Sequence, residues 1–139
     1  MIDAPDKTLD ELPIRSGEDV VRLRQAVRDR ALAAGLSLVD QTKIITAASE
    51  LGRNTLQYGG GGKVVLAVVA EGGRKGVRLE FVDEGPGIPD IARALTDGFT
   101  SGGGLGLGLG GAKRLSDEFH IESAPGKGTR ITIVRWKPY

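Results

Sequence analysis

The 139-residue sequence contains no cysteine, which excludes disulfide bonds and thiolate metal sites. It also lacks a charge excess: 19 Lys and Arg balance 18 Asp and Glu, so the net charge of +1 provides no field for binding nucleic acid. No apolar run reaches membrane-spanning length, and the first residues lack the basic and then apolar pattern of a signal peptide. We therefore expect a soluble cytoplasmic protein that binds neither nucleic acid nor membrane.

The composition that remains is typical of one globular domain, with 40% hydrophobic and 27% charged residues. We expect residues 1–9 to be a flexible N-terminus and residues 10–139 to form a single domain. Hydrophobic periodicity and turn residues predict strands at 11–15, 63–70, 77–82, 119–123 and 130–136, helices at 16–35, 37–58, 89–97 and 105–117, and a hairpin turn at 72–76. Together these elements predict an α+β fold, a two-layer α/β sandwich whose mostly antiparallel, mixed sheet carries the helices on one face.

Two serines mark the starts of the first two predicted helices. Ser16 is followed three residues later by Asp19, and Ser37 by Asp40, which resembles the capping-box pattern. In the second of these helices, apolar or small residues recur on one face and predict a buried stripe of Ile44, Ala48, Leu51 and Thr55.

Glycine is concentrated in one segment, since eight of the 22 glycines lie between Gly98 and Gly111. The spacing of Gly106, Gly108 and Gly111 fits a dinucleotide motif, but these glycines follow a loop rather than a strand and too little chain remains for such a domain. A P-loop is excluded because Ala112, and not Lys with Ser or Thr, comes next. Two interpretations remain. One is a flexible linker, against which the leucines at 105, 107 and 109 argue; the other is a loop that becomes a helix start and holds an anion through backbone N–H groups.

Glu50 and Asn54 lie one turn apart on the second predicted helix, with Tyr58 one turn further along the same face. The amide oxygen of Asn54 suits Mg²⁺, and Glu50 could orient or deprotonate a nucleophile beside a terminal phosphate. The alternative is a solvent-exposed Glu and an Asn near the end of the helix, which is the usual placement of such residues.

One carboxylate, Asp83, follows the predicted strand 77–82 and is itself followed by Gly85 and Gly87. A plain turn explains all three residues and remains one interpretation. The other is that Asp83 accepts a hydrogen bond from the exocyclic amine of adenine, while the glycines let the backbone approach the base. Guanine would then be rejected, because it presents an oxygen where adenine has that amine and a carboxylate cannot donate.

In order along the chain, Glu50 with Asn54, Asp83-x-Gly85-x-Gly87, Gly104-x-Gly106-x-Gly108 and Gly126-x-Gly128-Thr129 resemble the motifs of the GHKL ATPase superfamily. The resemblance spans about residues 10–136. Within the superfamily, segments 46–54, 83–91, 97–106 and 112–119 are similar to the anti-sigma-factor serine kinases, and among these to the switch kinases of the stressosome.

The resemblance implies a role for each motif residue. Asn54 would bind Mg²⁺ between the phosphates, and Glu50 would act as the general base toward a substrate hydroxyl. Asp83 would bind adenine with help from Thr129 through water, and Gly85 and Gly87 would lie against the base. The lid over the triphosphate would contain Gly102, Gly103, Gly104, Leu105, Gly106 and Gly108. The implied cofactors are ATP and Mg²⁺.

The resemblance also implies an ATP-dependent serine/threonine protein kinase and partner-switching regulator. Its substrates would be sulfate-transporter/anti-sigma-antagonist (STAS) domain proteins, of the stressosome or anti-anti-sigma type, and it would activate a downstream phosphatase. The segment 106–111 is richer in glycine than the family pattern, and no basic residue lies between Arg93 and Lys113. Arg53 is the candidate cation for the phosphates, with a solvated helix arginine as the alternative.

A function of another class remains open, namely a nucleotide-gated module that binds a sigma factor or a phosphatase with little kinase activity. The catalytic piece of a histidine kinase is disfavoured, because the sole histidine, His120, lies in a predicted strand, and we interpret it as a structural or exposed residue.

Overall fold

A computed structural model describes residues 10–95 and 108–138 of the chain. Within these ranges the strands are β1 (Asp10–Ile14), β2 (Gly62–Glu71), β3 (Arg74–Asp83), β4 (Glu118–Ser123) and β5 (Thr129–Trp136). The helices are α1 (Gly17–Ala33), α2 (Leu38–Gln57), α3 (Ile91–Ala94) and α4 (Gly108–Arg114). None of these helices has both the length and the apolar character that crossing a bilayer requires.

Both long helices begin at the serines that the sequence indicates. The Ser16 side chain accepts a hydrogen bond from the Asp19 N–H at 3.3 Å, and the Ser37 side chain accepts one from the Asp40 N–H at 3.2 Å. Each cap satisfies a donor that the first turn of a helix otherwise leaves without a partner. The predicted starts of α1 and α2 are therefore confirmed, and the predicted buried stripe of α2 is confirmed as well.

The strands form one sheet in the order β1-β2-β3-β5-β4, and each of the four neighbouring pairs is antiparallel. The mostly antiparallel sheet is confirmed, but the mixed character that was also predicted is absent among the described strands. Two of the four pairs, β2 with β3 and β4 with β5, are hairpins of consecutive strands, and a hairpin is antiparallel by construction. Pro13 lies in β1 at the edge of the sheet, where its missing N–H removes no internal ladder bond.

The core lies between the helices and one face of the sheet. Two rows of apolar side chains in register cross the three central strands: Val64, Phe81 and Ile131 in one row, Leu66, Leu79 and Ile133 in the next. Against them pack buried residues of both long helices, including Leu23 and Val27 of α1 and Ile44 and Leu51 of α2. The two-layer α+β sandwich that the sequence predicts is therefore confirmed.

Several predicted boundaries differ from the structure. The hairpin turn consists of Gly72 and Gly73 alone, both with positive φ, and residues 74–76 belong to β3. Such a two-residue turn matches the twist of the flanking strands. Helix α3 begins only at Ile91, because Asp90 caps it by accepting from the Arg93 N–H at 3.0 Å. Helix α4 ends at Arg114, because the Asp117 N–H already donates to the Val134 carbonyl of β5 at 2.9 Å.

Some predicted bounds fall on segments outside the described residues. The predicted N-terminal segment 1–9 lies there, as do residues 96–97 and 105–107 of the predicted helices. The domain boundary at residue 10 therefore stays a prediction.

Candidate functional site

The candidate site lies at the end of the sheet where the apolar rows give way to a polar row. Ile14, Gly62, Asp83, Thr129 and Ser123 are paired in register across all five strands. Gly62, Asp83 and Thr129 each lie two positions from a residue of the neighbouring apolar row, so this polar row belongs to the helix-covered face. The sequence separates these residues widely, and only the strand order brings Asp83, Thr129 and Ser123 together.

Glycines let α2 approach this row closely. A Cβ placed on Gly62 would lie 2.9 Å from the Thr55 Cγ2 on α2, and one on Gly59 would lie 2.6 Å from the Asp83 Cβ. A Cβ on Gly85 would lie 2.7 Å from the Gly59 Cα. Real side chains do not tolerate such distances, so the absence of side chains at these positions leaves Asp83 as the polar group directly beneath the end of α2.

The Asp83 carboxylate is held in place by backbone donors. The Gly85 N–H donates to its Oδ1 at 2.9 Å, and the Thr129 backbone N–H also donates to the carboxylate. Burial is the largest influence and raises the pKa of Asp83, while these two hydrogen bonds lower it. The carboxylate is therefore fixed in orientation and partly desolvated, and its remaining lone pairs can accept from a ligand in the cavity.

The loop after Asp83 is joined to the β4–β5 hairpin. Gly87 has a φ of +79°, and a Cβ there would collide with the Ala124 carbonyl oxygen. The Gly126 N–H donates to the Pro86 carbonyl at 2.8 Å, and the Ile88 N–H donates to the Ser123 Oγ at 2.8 Å. These contacts fix the segment that follows Asp83 as one wall of a cavity.

A cavity of about 570 Å³ opens above the polar row. Its polar or flexible lining comes from four segments of the chain and includes Asn54, Asp83, Gly87, Gly108 and Thr129. Apolar side chains form other parts of the wall, among them Ile88, Ala94, Leu109 and Ile131. A volume of this size with an apolar wall and a few convergent polar groups is typical of a site for a small organic ligand.

The predicted site residues divide into three groups. Asn54, Asp83, Gly87, Gly108 and Thr129 share the cavity wall. Glu50 and Gly85 are adjacent to it but are not part of the lining: Glu50 lies one helix turn before Asn54, and Gly85 packs on Gly59. The predicted lid residues Gly102, Gly103, Gly104, Leu105 and Gly106 lie outside the described residues.

Glu50 is buried, with 6% of its surface exposed, and its Oε2 lies 2.6 Å from the Arg53 Nη1. Arg53 itself is 40% exposed at the side chain, so the pair lies at the boundary between helix core and solvent. Arg53, which the sequence offers as a cation for phosphates or as a solvated residue, is not part of the cavity lining; it is partly exposed and forms an ion pair with Glu50. Removing the arginine would leave a buried carboxylate without its compensating charge.

Sequence reasoning missed three residues of the site. Gly59 lies on the cavity wall just after α2, Arg93 adds a cationic side chain to that wall, and Ser123 contacts Thr129 behind the wall at 2.9 Å. A signal for Ser123 exists in the sequence: β4 alternates, and Phe119 and Ile121 pack against the core, so Ser123 is a polar residue at an inward position. His120 is exposed on the opposite face, as interpreted from the sequence.

Within residues 10–95 and 108–138, no group of three or more His, Cys, Asp or Glu side chains is arranged to hold a metal ion. The amide of Asn54 is the one predicted metal ligand that lines the cavity. A single neutral oxygen fits an ion that takes most of its ligands from water and phosphate, as Mg²⁺ does, and does not fit a cage made only of protein groups.

Comparisons with known proteins agree with this geometry. Residues 39–138 match the family described as histidine kinase-, DNA gyrase B- and HSP90-like ATPases. The chain is 48% identical over 118 residues to the serine/threonine-protein kinase RsbT of Bacillus subtilis (strain 168), which covers 85% of this chain and 89% of that protein. It is 32% identical over 97 residues to the anti-sigma F factor of Thermoanaerobacter sp. (strain X514), covering 67% of this chain and 68% of that protein.

A solved structure, that of the RsbU and RsbW domains of Rv1364c from Mycobacterium tuberculosis, has the same fold. The TM-score is 0.63 at 22% identity over 94% of this chain, and the match covers 32% of that longer chain. At this identity the likeness concerns the fold alone.

Proposed function

The chain belongs to the family of histidine kinase-, DNA gyrase B- and HSP90-like ATPases, and from this membership we propose that it is an ATP-dependent serine/threonine protein kinase. One observation carries the proposal: Asn54, Asp83, Gly87 and Thr129, which come from separate segments, line the same cavity. The family resemblance assigns Asn54 to the metal ion, Asp83 and Thr129 to adenine, and Gly87 to the close approach of the backbone to adenine.

Adenine fits the Asp83 end of the cavity. Asp83 and the Thr129 oxygen offer acceptors, and the exocyclic amine of adenine is a donor. The apolar side chains of Ile88 and Ile131 give the base a surface on which to be desolvated. The left-handed Gly87 permits backbone against the base where any side chain would be strained.

The phosphates would extend toward Asn54 and the start of α4. ATP supplies the phosphoryl group and Mg²⁺ compensates its charge. The Asn54 amide oxygen would hold the ion, and Arg93 on the cavity wall would add positive charge. The family resemblance implies that residues 102–106, with Gly108, would form the lid over the phosphates.

Glu50 is the proposed general base, although it is adjacent to the cavity wall and not part of it. The Arg53 guanidinium at 2.6 Å fixes the carboxylate and compensates its charge in a buried position. A substrate hydroxyl presented above Asn54 would be one helix turn from this carboxylate. Arg53 is thus assigned to orienting Glu50, and not to the phosphates.

The protein substrate that we propose is a STAS-domain protein, phosphorylated on Ser or Thr, and the chain would exchange this partner for a downstream phosphatase in the cytoplasm. The support is the similarity to a serine/threonine-protein kinase and to anti-sigma F factors, together with the fold shared with a protein that contains RsbU and RsbW domains. Partner exchange requires surfaces outside the nucleotide cavity, which the exposed side chains of α1 and α2 can provide.

Phosphotransfer from labelled Mg-ATP to a STAS-domain protein tests the proposal. We expect wild-type protein to label a serine or threonine, and Glu50→Ala to reduce the rate by ~10²–10⁴, as for loss of a general base, while ATP affinity is retained. The exposed Glu18 on α1 provides the control, since Glu18→Ala removes a helix carboxylate that does not line the cavity. Equal rates for Glu50→Ala and wild type would remove Glu50 from this role.

A second function is favoured by one feature of the site, the engagement of the Glu50 carboxylate by Arg53. If that pair does not open toward a substrate hydroxyl, the chain is a nucleotide-gated binding module of a sigma factor or phosphatase. ATP-dependent complex formation with no label on the partner identifies this function.

A further inference from the structure

Ser123 is the last residue of β4 and is paired in register with Thr129, but it lies behind the cavity wall and not on it. Its hydroxyl makes three polar contacts. The Ile88 N–H donates to the Ser123 Oγ at 2.8 Å, the Gly128 carbonyl lies 3.0 Å away, and the Thr129 Oγ1 lies 2.9 Å away. The three contacts involve the adenine-facing loop, the β4–β5 hairpin and one proposed adenine residue.

The direction of each hydrogen bond follows from what the partners can do. A backbone N–H only donates, so Ser123 accepts from Ile88, and a carbonyl only accepts, so the single Ser123 proton goes to Gly128. All three contacts can be hydrogen bonds at once in only one arrangement, in which the Ser123 proton goes to Gly128 and Thr129 donates to Ser123. With one proton donated and two accepted, the Ser123 hydroxyl is saturated.

This arrangement determines what Thr129 presents to a ligand. Its proton points away from the cavity toward Ser123, so its oxygen offers lone pairs only. The neighbouring Asp83 carboxylate also only accepts. The wall at this point is therefore a surface of acceptors, which favours a ligand or a bridging water that donates.

We propose that Ser123 is a positioning residue that sets base selectivity: by holding the Thr129 proton away from the cavity, it favours six-amino purines over six-keto purines. The inference rests on the proposed nucleotide function of the cavity. It assigns part of the selectivity to a residue that does not contact the ligand, and it adds to the repulsion that Asp83 alone provides.

A purely structural role for Ser123 makes a different prediction. If its only function were to join the loop at Ile88 to the hairpin at Gly128, its loss would weaken binding of all nucleotides in the same proportion. The ratio of two affinities therefore separates selectivity from loop stability. ATP and inosine triphosphate (ITP) form a suitable pair, because they differ only where adenine has an amine and hypoxanthine has an oxygen and a protonated N1.

The experiment is a calorimetric titration of the full chain with ATP and with ITP, for wild type, Ser123→Ala, Thr129→Val and the double variant. We expect wild type to prefer ATP, and Ser123→Ala to reduce that preference about five-fold, the value of one neutral hydrogen bond. In the Thr129→Val background, which has no hydroxyl to orient, Ser123→Ala should not change the preference further. Ser123→Thr keeps the hydroxyl, so this variant should retain the wild-type preference for ATP over ITP.

Two results would overturn the inference: an unchanged ATP-to-ITP ratio in Ser123→Ala, or an equal effect of Ser123→Ala with and without the Thr129 hydroxyl. If Ser123→Ala does not fold, Ser123→Cys, with a weak donor and acceptor of similar size, replaces it in the same cycle. Failure of wild type to bind either nucleotide would instead contradict the proposed function itself, and the inference with it.

Discussion

At the scale of single residues, the site shows a conflict between stability and function at Asp83. Burial raises the pKa of this carboxyl, which means that the folded protein holds the proton more tightly than the unfolded chain does. The two backbone hydrogen bonds oppose this effect and do not cancel it. Folding therefore disfavours the ionised form of Asp83, so above its pKa this carboxylate lowers the stability of the fold while it offers acceptors to the cavity.

Asp83→Asn should separate these two effects. We expect ATP affinity to fall roughly 10- to 100-fold, the range for losing a hydrogen bond to a charged group, while the melting temperature of the nucleotide-free protein rises at pH 7. A raised pKa makes the wild type less stable as pH rises, and this loss is absent below the ordinary Asp pKa of about 3.9. The higher melting temperature of the variant should therefore disappear below that pH.

At pH 7 and pH 3.5, calorimetric titration measures the ATP affinity and thermal melts measure the melting temperature. Asp90→Asn is the control, since it removes the same charge at an exposed position of the cavity wall and keeps the oxygen that caps α3. A variant that binds ATP like wild type would show that Asp83 does not contact the base.

At the scale of elements, the cavity wall depends on the contact between the loop after β3 and the β4–β5 hairpin. Gly87 and Gly126 are both in the left-handed region, at φ of +79° and +75°. Only Gly87 also faces a backbone oxygen, that of Ala124, whereas a Cβ on Gly126 would meet nothing within 4 Å. A side chain would thus strain the backbone at either position, but only at Gly87 would it also collide with a backbone oxygen.

Gly126→Ala and Gly87→Ala form a matched pair on this basis. Gly126→Ala should reduce the free energy of unfolding by about 1–2 kcal/mol, the cost of a left-handed non-glycine residue, and leave ATP affinity close to wild type. Gly87→Ala adds a collision with the Ala124 carbonyl, so it should be more destabilising and should also weaken ATP binding at least ten-fold. Urea unfolding and ATP titration give both values, and equal behaviour of the two variants would contradict the role assigned to this contact.

Helix α2 carries function at one end and a structural ion pair at the other. Asn54 lies in its last turn, while Asp40 in its first turn accepts from the Arg135 Nη2 at 2.7 Å. The side chains of Asp40 and Arg135 are nearly buried, at 12% and 13% exposure. Arg135 also donates to the Leu115 carbonyl beyond α4. The Arg135 hydrogen bond is the main reason that the pKa of Asp40 is lowered, against the opposing effect of burial.

Asp40→Asn should therefore destabilise the protein in a pH-dependent way. We expect a loss of about 3 kcal/mol at pH 7, because the nearly buried Arg135 loses its nearer counter-charge and keeps Asp117, whose Oδ1 lies 3.8 Å from the Arg135 Nη1. A depressed pKa contributes stability above the unfolded value and loses it as pH falls through the folded one, so the difference from wild type should shrink below about pH 4.

Urea unfolding at pH 7 and pH 3 measures that difference, with Asp29→Asn as the control for loss of an exposed helix carboxylate. A destabilisation of the same size at both pH values would mean that charge is not the reason for it.

Much at this scale could be predicted from the sequence. The caps at Ser16 and Ser37 and the alternation of the strands depend on local chemistry, and they are confirmed. The hairpin at 72–73 was predicted too long, because Gly76 resembles a turn residue. In the fold, a Cβ on Gly76 would lie 2.7 Å from the Trp136 ring, so this glycine is required by a strand neighbour that local sequence does not identify.

At the scale of the whole molecule, the two ends of the sheet have different character. One end carries the polar row with glycines and opens into the cavity. The other is closed: Trp136 packs on Gly76, its ring N–H donates to Glu118 at 2.6 Å, and the Arg74 guanidinium lies 4.8 Å from the ring centroid. Among the described residues, the order of residues along each strand thus places the cavity at one end of the sheet and a packed tryptophan at the other.

The family and fold class predicted from motif order are confirmed. Motif order could not place Ser123 beside Thr129 or Arg53 against Glu50, because both contacts depend on register and rotamer. Those are properties of the assembled molecule.

The central claim, that separate segments converge on one Mg-ATP site, is tested most directly by a ¹H–¹⁵N NMR titration of the full chain with Mg-ATP. We predict that the largest shift changes occur together at one nucleotide concentration in residues 54–59, 83–94 and 124–131, that residues 68–76 at the closed end stay unperturbed, and that Asp83→Asn weakens all three groups of changes equally. Shift changes confined to one of these segments, or no saturable change at all, would contradict the claim.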